Sequence, residues 1–420
     1  MSAIFGLDFG TTNSSLAVFR DGDIQVLDID PISPSRKSLK SVLFFDEEGD
    51  VFVGQEAVNH YLEMGGEYCR FMRSLKTFLP SKSFEKTYVF GKKYGLEELI
   101  AIILKQVKNR GEKQIGHVVE EVVMGRPVVF SPDREKDSLA EKRLETAARK
   151  AGFKNISFQY EPIAAALSCE KDLKAGEEIL ILMGDFGGGT SDFSVMKLRG
   201  GHSAKRSRKE DVLSISGINI AGDVFDSLIM RNRVAHHFGR DVKYPDMRGH
   251  SLRMPTWIIS TLCQWHLVPQ LRKSLEFIRR LKLTADDKQA VKNLERLIVE
   301  NLGFAVFQSI EKAKCELSTE ENSVIRFKDG DIRINEKLSK ADFESTINEE
   351  VARIGECIKE TLRKAGVSGN KIDRIVITGG SSFIPKIRRL FTEIIGEEKL
   401  EAVDAFTSVA YGLGVTASML

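Results

Sequence analysis

One short sequence pattern occurs twice in the chain and constrains its fold more than any other feature. Residues 4–12 read IFGLDFGTT and residues 181–190 read ILMGDFGGGT, so that Asp8 and Asp185 hold corresponding positions. Each copy is an apolar run, an aspartate, an aromatic residue and a glycine turn, and a second apolar run follows. This pattern predicts two strands joined by a glycine loop. The duplication therefore predicts two related lobes with one glycine loop each.

Composition excludes several classes of protein. The 62 basic and 60 acidic side chains give a formal charge of only +2, so no overall field attracts nucleic acid or an anionic membrane. The N-terminus reaches Asp8 before an apolar leader develops, and no apolar run of about 18 residues occurs. We expect a monomeric cytoplasmic protein, with neither nucleic acid nor membrane among its partners.

The cysteines and histidines form no recognisable ligand pattern. The five cysteines are an odd number and include no CxxC pair, which argues against a disulfide framework and against a zinc site. The histidines are scattered, and all are predicted to be structural or surface residues: His60, His117, His202, His236, His237, His250 and His266.

The two glycine loops have the composition of phosphate-binding loops. Glycines let backbone N–H groups converge on an anion without side chains in the way, and neighbouring hydroxyl groups add donors. Neither loop is a P-loop or a dinucleotide-binding fingerprint. The predicted phosphate-binding residues are Gly10, Thr11, Thr12, Asn13, Gly187, Gly188, Gly189 and Thr190.

Carboxylates in the same loops indicate a divalent cation. Asp8, Asp185 and Asp192 would repel a phosphate chain unless a cation lay between them, and Mg²⁺ suits such a site because it takes few protein ligands. We predict Asp8 and Asp185 as the metal-binding residues.

A third glycine turn follows a later apolar strand. Residues 375–378 form the strand, Gly379 and Gly380 form the turn, and Pro385 opens a helix. Two further helices are predicted over residues 139–151 and 342–365, the second ended by Gly366 as a C-cap. The basic residues 205–209 predict a solvated hairpin tip.

These elements predict an α/β protein of two lobes, each with an inserted subdomain. The first lobe takes residues 1–39 and 116–175, with 40–115 inserted. The second takes 176–222 and 338–420, with 223–337 inserted and its C-terminal helix returning to the first lobe. An extra insertion at about 240–300 is a candidate surface for a protein partner.

Several motifs resemble one known superfamily. Residues 6–14 and 185–192 resemble the two phosphate motifs of the actin, sugar-kinase and heat-shock superfamily. Within it, residues 161–167 and 409–412 look like the two connecting helices of the DnaK-like, seventy-kilodalton heat-shock chaperones, and 379–387 resemble their adenosine motif. The resemblance implies a two-lobed actin-like ATPase fold with duplicated ribonuclease-H-like lobes.

The resemblance also implies roles for individual residues. Residues 74–79 are similar to the segment that bears the family's catalytic lysine, so Lys76, with Glu161 and Asp192, would position the attacking water. Residues 311–318 are similar to the helix that grips adenosine, and spacing on a helix places its polar members on one face. The residues implied for the nucleoside side are Gly222, Asp223, Glu311, Lys314, Ser318, Gly379, Gly380, Ser381 and Phe383.

The chain departs from the chaperone pattern in two places. Cys315 and Phe383 stand where the chaperones hold adenine between arginines, and we hypothesise that Phe383 stacks on the base. After Leu420 we expect no linker and no peptide-binding domain, an arrangement that resembles the short, YegD-like branch of the family.

The predicted function is therefore ATP binding with Mg²⁺ and slow hydrolysis to ADP, with the lobes closing on the nucleotide. A bacterial actin-like filament protein is the main alternative, although such actins have Glu where Asp192 stands. A nucleotide sensor with negligible turnover is a second. A sugar kinase is a third, but no sugar-binding signature occurs.

Overall fold

The computed structural model describes residues 3–33, 35–64, 69–84, 86–170, 173–200, 209–246, 248–402 and 407–420. The predicted hairpin tip at residues 205–208 lies outside these ranges. None of the helices within them is long and apolar enough to cross a membrane.

The described strands are β1 (Ile4–Phe9), β2 (Asn13–Arg20), β3 (Asp23–Val26), β4 (Leu39–Lys40), β5 (Val42–Phe45), β6 (Val51–Val53), β7 (Arg70–Arg73), β8 (Lys86–Val89), β9 (Lys92–Gly95), β10 (Glu121–Arg126), β11 (Asn155–Tyr160), β12 (Glu178–Phe186), β13 (Ser191–Arg199), β14 (Val212–Ile218), β15 (Lys243–Pro245), β16 (Ser251–Arg253), β17 (Asn322–Asp329), β18 (Ile332–Ser339), β19 (Arg374–Thr378) and β20 (Leu400–Ala402). The described α-helices are α1 (Gln55–Met64), α2 (Leu96–Ile115), α3 (Arg134–Lys150), α4 (Glu161–Glu170), α5 (Gly222–Ile229), α6 (Thr256–Leu262), α7 (Leu275–Thr284), α8 (Lys288–Val299), α9 (Gly303–Glu316), α10 (Lys340–Thr346), α11 (Asn348–Ala365), α12 (Pro385–Ile395) and α13 (Ser408–Ala417).

Two sheets repeat one topology. The first runs β11-β10-β1-β2-β3 with β4 beside β2, and the second runs β20-β19-β12-β13-β14. In each, the strand before a glycine loop pairs antiparallel with the strand after it and parallel with a later strand on its other side. The predicted duplication is confirmed, and both glycine loops connect the central antiparallel pair of a sheet.

Each sheet is held by helices on its apolar faces. In the first lobe Phe5 and Leu7 of β1 are fully buried in a core shared with α2 and α3, which contribute Leu104 and Leu144. In the second, the ring of Phe391 on α12 lies 6.0 Å from that of Phe186 at the end of β12. Each large apolar side chain buried in this way stabilises the fold by roughly 1.5–3 kcal/mol. Both strand ends that carry the glycine loops are thus firmly anchored.

The helices follow the sequence signals with two differences. Pro385 opens α12 and Gly366 ends α11 in the left-handed conformation, as predicted. The predicted helix 342–365 is divided, because Ile347 adopts a cap conformation between α10 and α11. The helix predicted from residue 139 starts earlier, because the Asp133 side chain accepts hydrogen bonds from the first backbone N–H groups of α3.

The helices α4 and α13 cross at backbone contact. A Cβ atom on Gly412 would lie 1.6 Å from the carbonyl oxygen of Ala164, and one on Gly6 of β1 would lie 2.5 Å from the backbone nitrogen of Gly414. No side chain fits at either position. The C-terminal helix α13 therefore packs directly on both α4 and β1.

Four aromatic rings join the two segments that the sequence predicts as inserted subdomains, and we call them the cross-lobe aromatic cluster: Tyr61, Phe71, Trp265 and Phe304. The ring of Phe71 lies 4.6 Å from that of Tyr61 and 5.4 Å from that of Phe304, and the rings of Trp265 and Phe304 are 4.8 Å apart. Asn301 adds a side-chain hydrogen bond to the Tyr61 hydroxyl. The cluster ties α1 and β7 to α9 and the segment before α7.

Candidate functional site

The two glycine loops touch each other. A Cβ atom on Gly188 would lie 2.0 Å from Oγ1 of Thr12, so only glycine permits this approach. Each loop is also closed on itself: the backbone N–H of Gly187 donates to the carbonyl of Thr190 at 2.9 Å, and a Cβ on Gly10 would lie 2.1 Å from the carbonyl oxygen of Asn13. The structure therefore brings both predicted phosphate loops to one place.

Lys76 and Glu161 form an ion pair beside these loops. Nζ of Lys76 lies 2.6 Å from Oε1 of Glu161, and both side chains are largely buried. Lys76 sits in a 3₁₀ turn, Leu75–Phe78, that starts after β7. Ser74 at its start has φ 56°, a left-handed conformation that is uncommon for serine, and it turns the chain sharply towards the loops.

Three carboxyl groups around this ion pair have pKa values well above the ordinary range for aspartate. Burial, followed by the negative charge of Glu161, raises the pKa of Asp185 to about 8 and that of Asp8 to about 7. The same two causes raise the pKa of Asp192 to about 6, although a hydrogen bond from Thr190 opposes the shift. Asp185 and Asp192 are directly paired across the β12–β13 hairpin, which concentrates negative charge at its end.

The same surroundings also shift the pKa of Lys76. Burial works to lower its pKa, but the carboxylates of Glu161 and Asp8 outweigh it, and the pKa is raised. The lysine is therefore fully charged at neutral pH. It offsets only one of the nearby negative charges.

The donor set fits Mg²⁺. Burial raises the pKa of both Asp8 and Asp185, and the charge of Asp8 raises that of Asp185 further, which places the two carboxyl groups near each other. Hard oxygen ligands in small number are what Mg²⁺ takes in proteins. These two residues would hold the ion.

Several residues predicted for the nucleoside side form a second group next to the loops. A Cβ on Gly222 would lie 3.4 Å from Oγ of Ser381 and 3.5 Å from Nζ of Lys314. The backbone N–H of Asp223 donates to the carbonyl of Gly188 at 2.8 Å, which connects this group to the phosphate loop. Three distant stretches of chain thus meet at Gly222.

The third glycine turn is fixed to the second lobe's central strand. Gly379 has φ +85°, and a Cβ there would lie 2.0 Å from the carbonyl oxygen of Phe186. Gly380 begins a short 3₁₀ turn that contains Ser381 and ends at Phe383. The turn needs glycine at residue 379 both for its backbone conformation and for space.

The remaining nucleoside-side residues are more open. Phe383 is 47% exposed, and Cys315 and Glu311 on α9 are exposed as well. Ser318 does not lie on the helix with Lys314, because α9 ends at Glu316 and Ser318 follows in a turn. The predicted helical face therefore holds for Glu311 and Lys314 but not for Ser318.

A sequence profile of the Hsp70 protein family matches residues 72–253 and 294–420, which is most of the chain. The chain belongs to the Hsp70 family. It is 27% identical over 425 residues to the chaperone protein DnaK of Thermosipho melanesiensis and 26% identical to that of Thermosipho africanus. Each comparison covers 99% of this chain and 59% of the relative, so the chain spans little more than half of their length. With its two matching sheets, it has the two-lobed actin-like ATPase fold of the Hsp70 family.

The Hsp70 profile leaves residues 1–71 and 254–293 unmatched, and the second of these stretches lies inside the predicted insertion at about 240–300. It contains Trp265, which the structure places in the cross-lobe aromatic cluster. A stretch outside the profile match therefore makes a contact between the two predicted inserted subdomains.

Sequence reasoning missed two charged residues at this Hsp70-type site. Asp226 accepts a hydrogen bond from Nζ of Lys314 at 2.9 Å, and burial raises its pKa to about 6 although Lys314 works to lower it. Arg73 donates to Oδ2 of Asp223 at 2.7 Å and lies 4.4 Å from the centre of the Trp265 ring. Asp226 could have been predicted from its position one helical turn after Asp223. Nothing local marks Arg73.

Proposed function

We propose that the chain binds ATP with Mg²⁺ between its two lobes and hydrolyses it slowly to ADP, as a chaperone-like protein whose lobes close on the nucleotide. The observation that carries the proposal is the contact between the glycine loops at Thr12 and Gly188. Because the loops belong to different sheets, a phosphate chain held by both would tie the lobes together.

Hydrolysis by this site would depend on positioning rather than on a strong nucleophile. Lys76, fixed by Glu161 and flanked by Asp192, would orient the attacking water. Backbone N–H groups of residues 187–189 would stabilise charge on the transferring phosphate. When bound, Mg²⁺ would neutralise part of the phosphate charge, and Asp8 and Asp185 would hold it.

The nucleoside would lie on the group around Gly222. Lys314 and Glu311 would bind the ribose from α9, and Ser318 would contribute from the turn that follows. Asp223, Gly379, Gly380 and Ser381 would line the other side. Phe383, exposed beyond that turn, would stack on adenine, an interaction worth roughly 1–3 kcal/mol for bases on aromatic rings.

The proposed output is a change in lobe separation. ATP held by both loops favours the closed arrangement, and loss of phosphate weakens that preference. The proposal includes the subdomain bounds predicted from the sequence. It also includes a surface for a protein partner at about 240–300. The cytoplasm is the proposed location.

Phosphate release tests the proposal directly. Wild type is expected to release phosphate from ATP slowly, and Lys76→Ala and Asp185→Asn are each expected to lower the rate by about 100-fold or more. Lys82→Ala is the matched control, because Lys82 is an exposed lysine paired only at the surface with Glu135. Failure of wild type to bind ATP would overturn the proposal.

Two other outcomes separate the alternatives. Tight ATP binding without turnover would identify a nucleotide sensor. Sedimentation of the ATP-bound protein at high speed would identify a filament, whereas a monodisperse monomer would exclude one.

A further inference from the structure

Away from the nucleotide site, two consecutive histidines face a glutamate from another element. The helix that begins as α5 changes to a π-helical turn at Met230–Val234 and then to a 3₁₀ turn at Ala235–Phe238, which carries His236 and His237. Glu336 projects from β18. Irregular helical turns of this kind often accompany functional sites.

The three side chains converge on one point. Nε2 of His237 lies 2.8 Å from Oε1 of Glu336, and Nε2 of His236 lies 3.6 Å from the same oxygen. The two rings are 4.0 Å apart with 35° between their planes. Both histidines lie in the 3₁₀ turn, where 3.0 residues per turn place consecutive side chains about 120° apart, so it is their side-chain torsions that bring both rings to one carboxylate.

A hydrogen bond alone does not account for this arrangement. It explains the 2.8 Å contact of His237, but 3.6 Å is too long for His236 to bond to the same oxygen. One donor atom from each residue lies within 4.8 Å of the others. Donors on a single zinc ion are about 3.3 Å apart, so small side-chain rotations would close the group around an ion.

For His236 the surroundings favour neutral imidazole, the form that binds metals. Burial lowers the pKa of His236, and His237 and Arg240 lower it further, while Glu336 and Asp241 act against them. Arg240 itself is engaged with Asp241 at 2.6 Å. Both histidine side chains remain partly exposed, so an ion can reach them from solvent.

We infer that His236, His237 and Glu336 bind one transition-metal dication, with Zn²⁺ the best match. Two imidazoles and a carboxylate suit Zn²⁺ and disfavour Mg²⁺, which prefers oxygen ligands throughout. Three protein ligands leave the fourth position to water. The ion would fasten the end of the α5 segment to the β17–β18 hairpin, separately from the nucleotide site.

Titration calorimetry of the full chain with ZnCl₂ tests the site, with Co²⁺ absorption in the visible range as a second readout. Wild type is expected to bind one ion at this site. His237→Ala and Glu336→Gln are each expected to weaken binding at least about tenfold. Glu336→Gln keeps a hydrogen-bond acceptor for His237 and so guards against loss of folding.

His250→Ala is the matched control, since His250 also faces a carboxylate, Asp246 at 3.1 Å, but without a second imidazole in that pair. It is expected to bind Zn²⁺ as wild type does. Equal affinity of wild type and Glu336→Gln would overturn the inference, as would an equal loss in His250→Ala. Asp185→Asn, tested in parallel, is expected to keep the Zn²⁺ site, so that failure here is distinct from failure of ATP binding.

Discussion

The lobes meet in two regions with opposite chemistry. At the glycine loops, burial and the charge of Glu161 raise the pKa values of Asp8 and Asp185, and Lys76 partly offsets that charge. At the cross-lobe aromatic cluster the contact is made by packed rings, with Arg73 over Trp265. The carboxyl groups at the loops repel one another when they are ionised. The rings of the cross-lobe aromatic cluster attract one another at any pH.

The difference assigns separate tasks to the two regions. Packed aromatic pairs contribute about 0.5–1.5 kcal/mol each beyond the area they bury, so the cluster holds the lobes near each other without a ligand. On the proposed function, the carboxylates would oppose full closure until cations and phosphates balance their charge. On the proposed function, closure at the loops would depend on the nucleotide, and closure at the rings would not.

The largest effect is expected from filling the contact between the loops. Gly188→Ala places a methyl group 2.0 Å from Oγ1 of Thr12, which separates the loops and is expected to weaken ATP binding by about 100-fold. Gly189→Ala adds the same methyl group where nothing lies within 4 Å. The loss of ATP affinity in this variant is expected to be at least tenfold smaller than in Gly188→Ala. Equal losses in calorimetry would show that the loop contact does not matter.

The second effect concerns pH. The folded pKa of Asp185, about 8, and of Asp8, about 7, exceed the ordinary 3.8, so the folded protein binds more protons than the unfolded chain. Stability without nucleotide should fall as pH rises from about 5 to about 8. Mg²⁺ requires ionised carboxylates, so its affinity should rise by up to about tenfold per pH unit near neutrality.

Scanning calorimetry and Mg²⁺ titrations over this range measure both trends. Asp185→Asn removes one of the two groups and should flatten each curve. A melting temperature that rises with pH in the nucleotide-free protein would contradict the prediction.

A smaller effect is expected at the rings. Trp265→Ala removes ring contacts to Phe71 and Phe304 and the partner of the Arg73 guanidinium, and nucleotide release should become several-fold to about tenfold faster. Stopped-flow displacement of a fluorescent ADP analogue measures it. Trp257→Ala, which removes a 52% exposed tryptophan of the same insertion, should leave the rate unchanged; an equal acceleration would rule out the cluster as the cause.

The smallest effect is expected at the base. Phe383→Ala should weaken ATP binding about fivefold, the low end of stacking energies, because the ring is already partly exposed to water. Affinity for inorganic triphosphate should not change, since on the proposed function the phosphates would lie at the loops. Unchanged ATP affinity in calorimetry would refute stacking, and Tyr88→Ala, at a 67% exposed ring, is the control.

Much of the fold was predictable because its signals are local. Apolar runs on either side of the two glycine turns indicated both hairpins, Pro385 marked the start of α12, and Gly366 marked the end of α11. The break at Ile347 was not predictable, since the apolar spacing continues through it and tertiary packing decides the cap. The start of α3 could have been found from Asp133, whose side chain caps the helix.

The site was predictable only in its residue types. Family resemblance indicated Lys76 and Lys314, but the partner of Lys314, Asp226, is 88 residues away in the chain, and only the folded structure brings them together. The left-handed Ser74 carries no glycine signal, because its conformation is imposed by the surroundings. The sequence therefore indicated which residue types form the site. Only the tertiary structure shows which of these residues pair with each other.

The backbone contact between Gly412 and Ala164 is a point about which helices α13 and α4 can pivot. Two helices that touch without intervening side chains can turn on each other but cannot move closer, so the distance between their axes is fixed while the angle is not. Displacement then grows with distance from that point. If the proposed nucleotide site sets a slight rotation, it would become a larger displacement in outlying parts of the lobes, where another molecule could sense it.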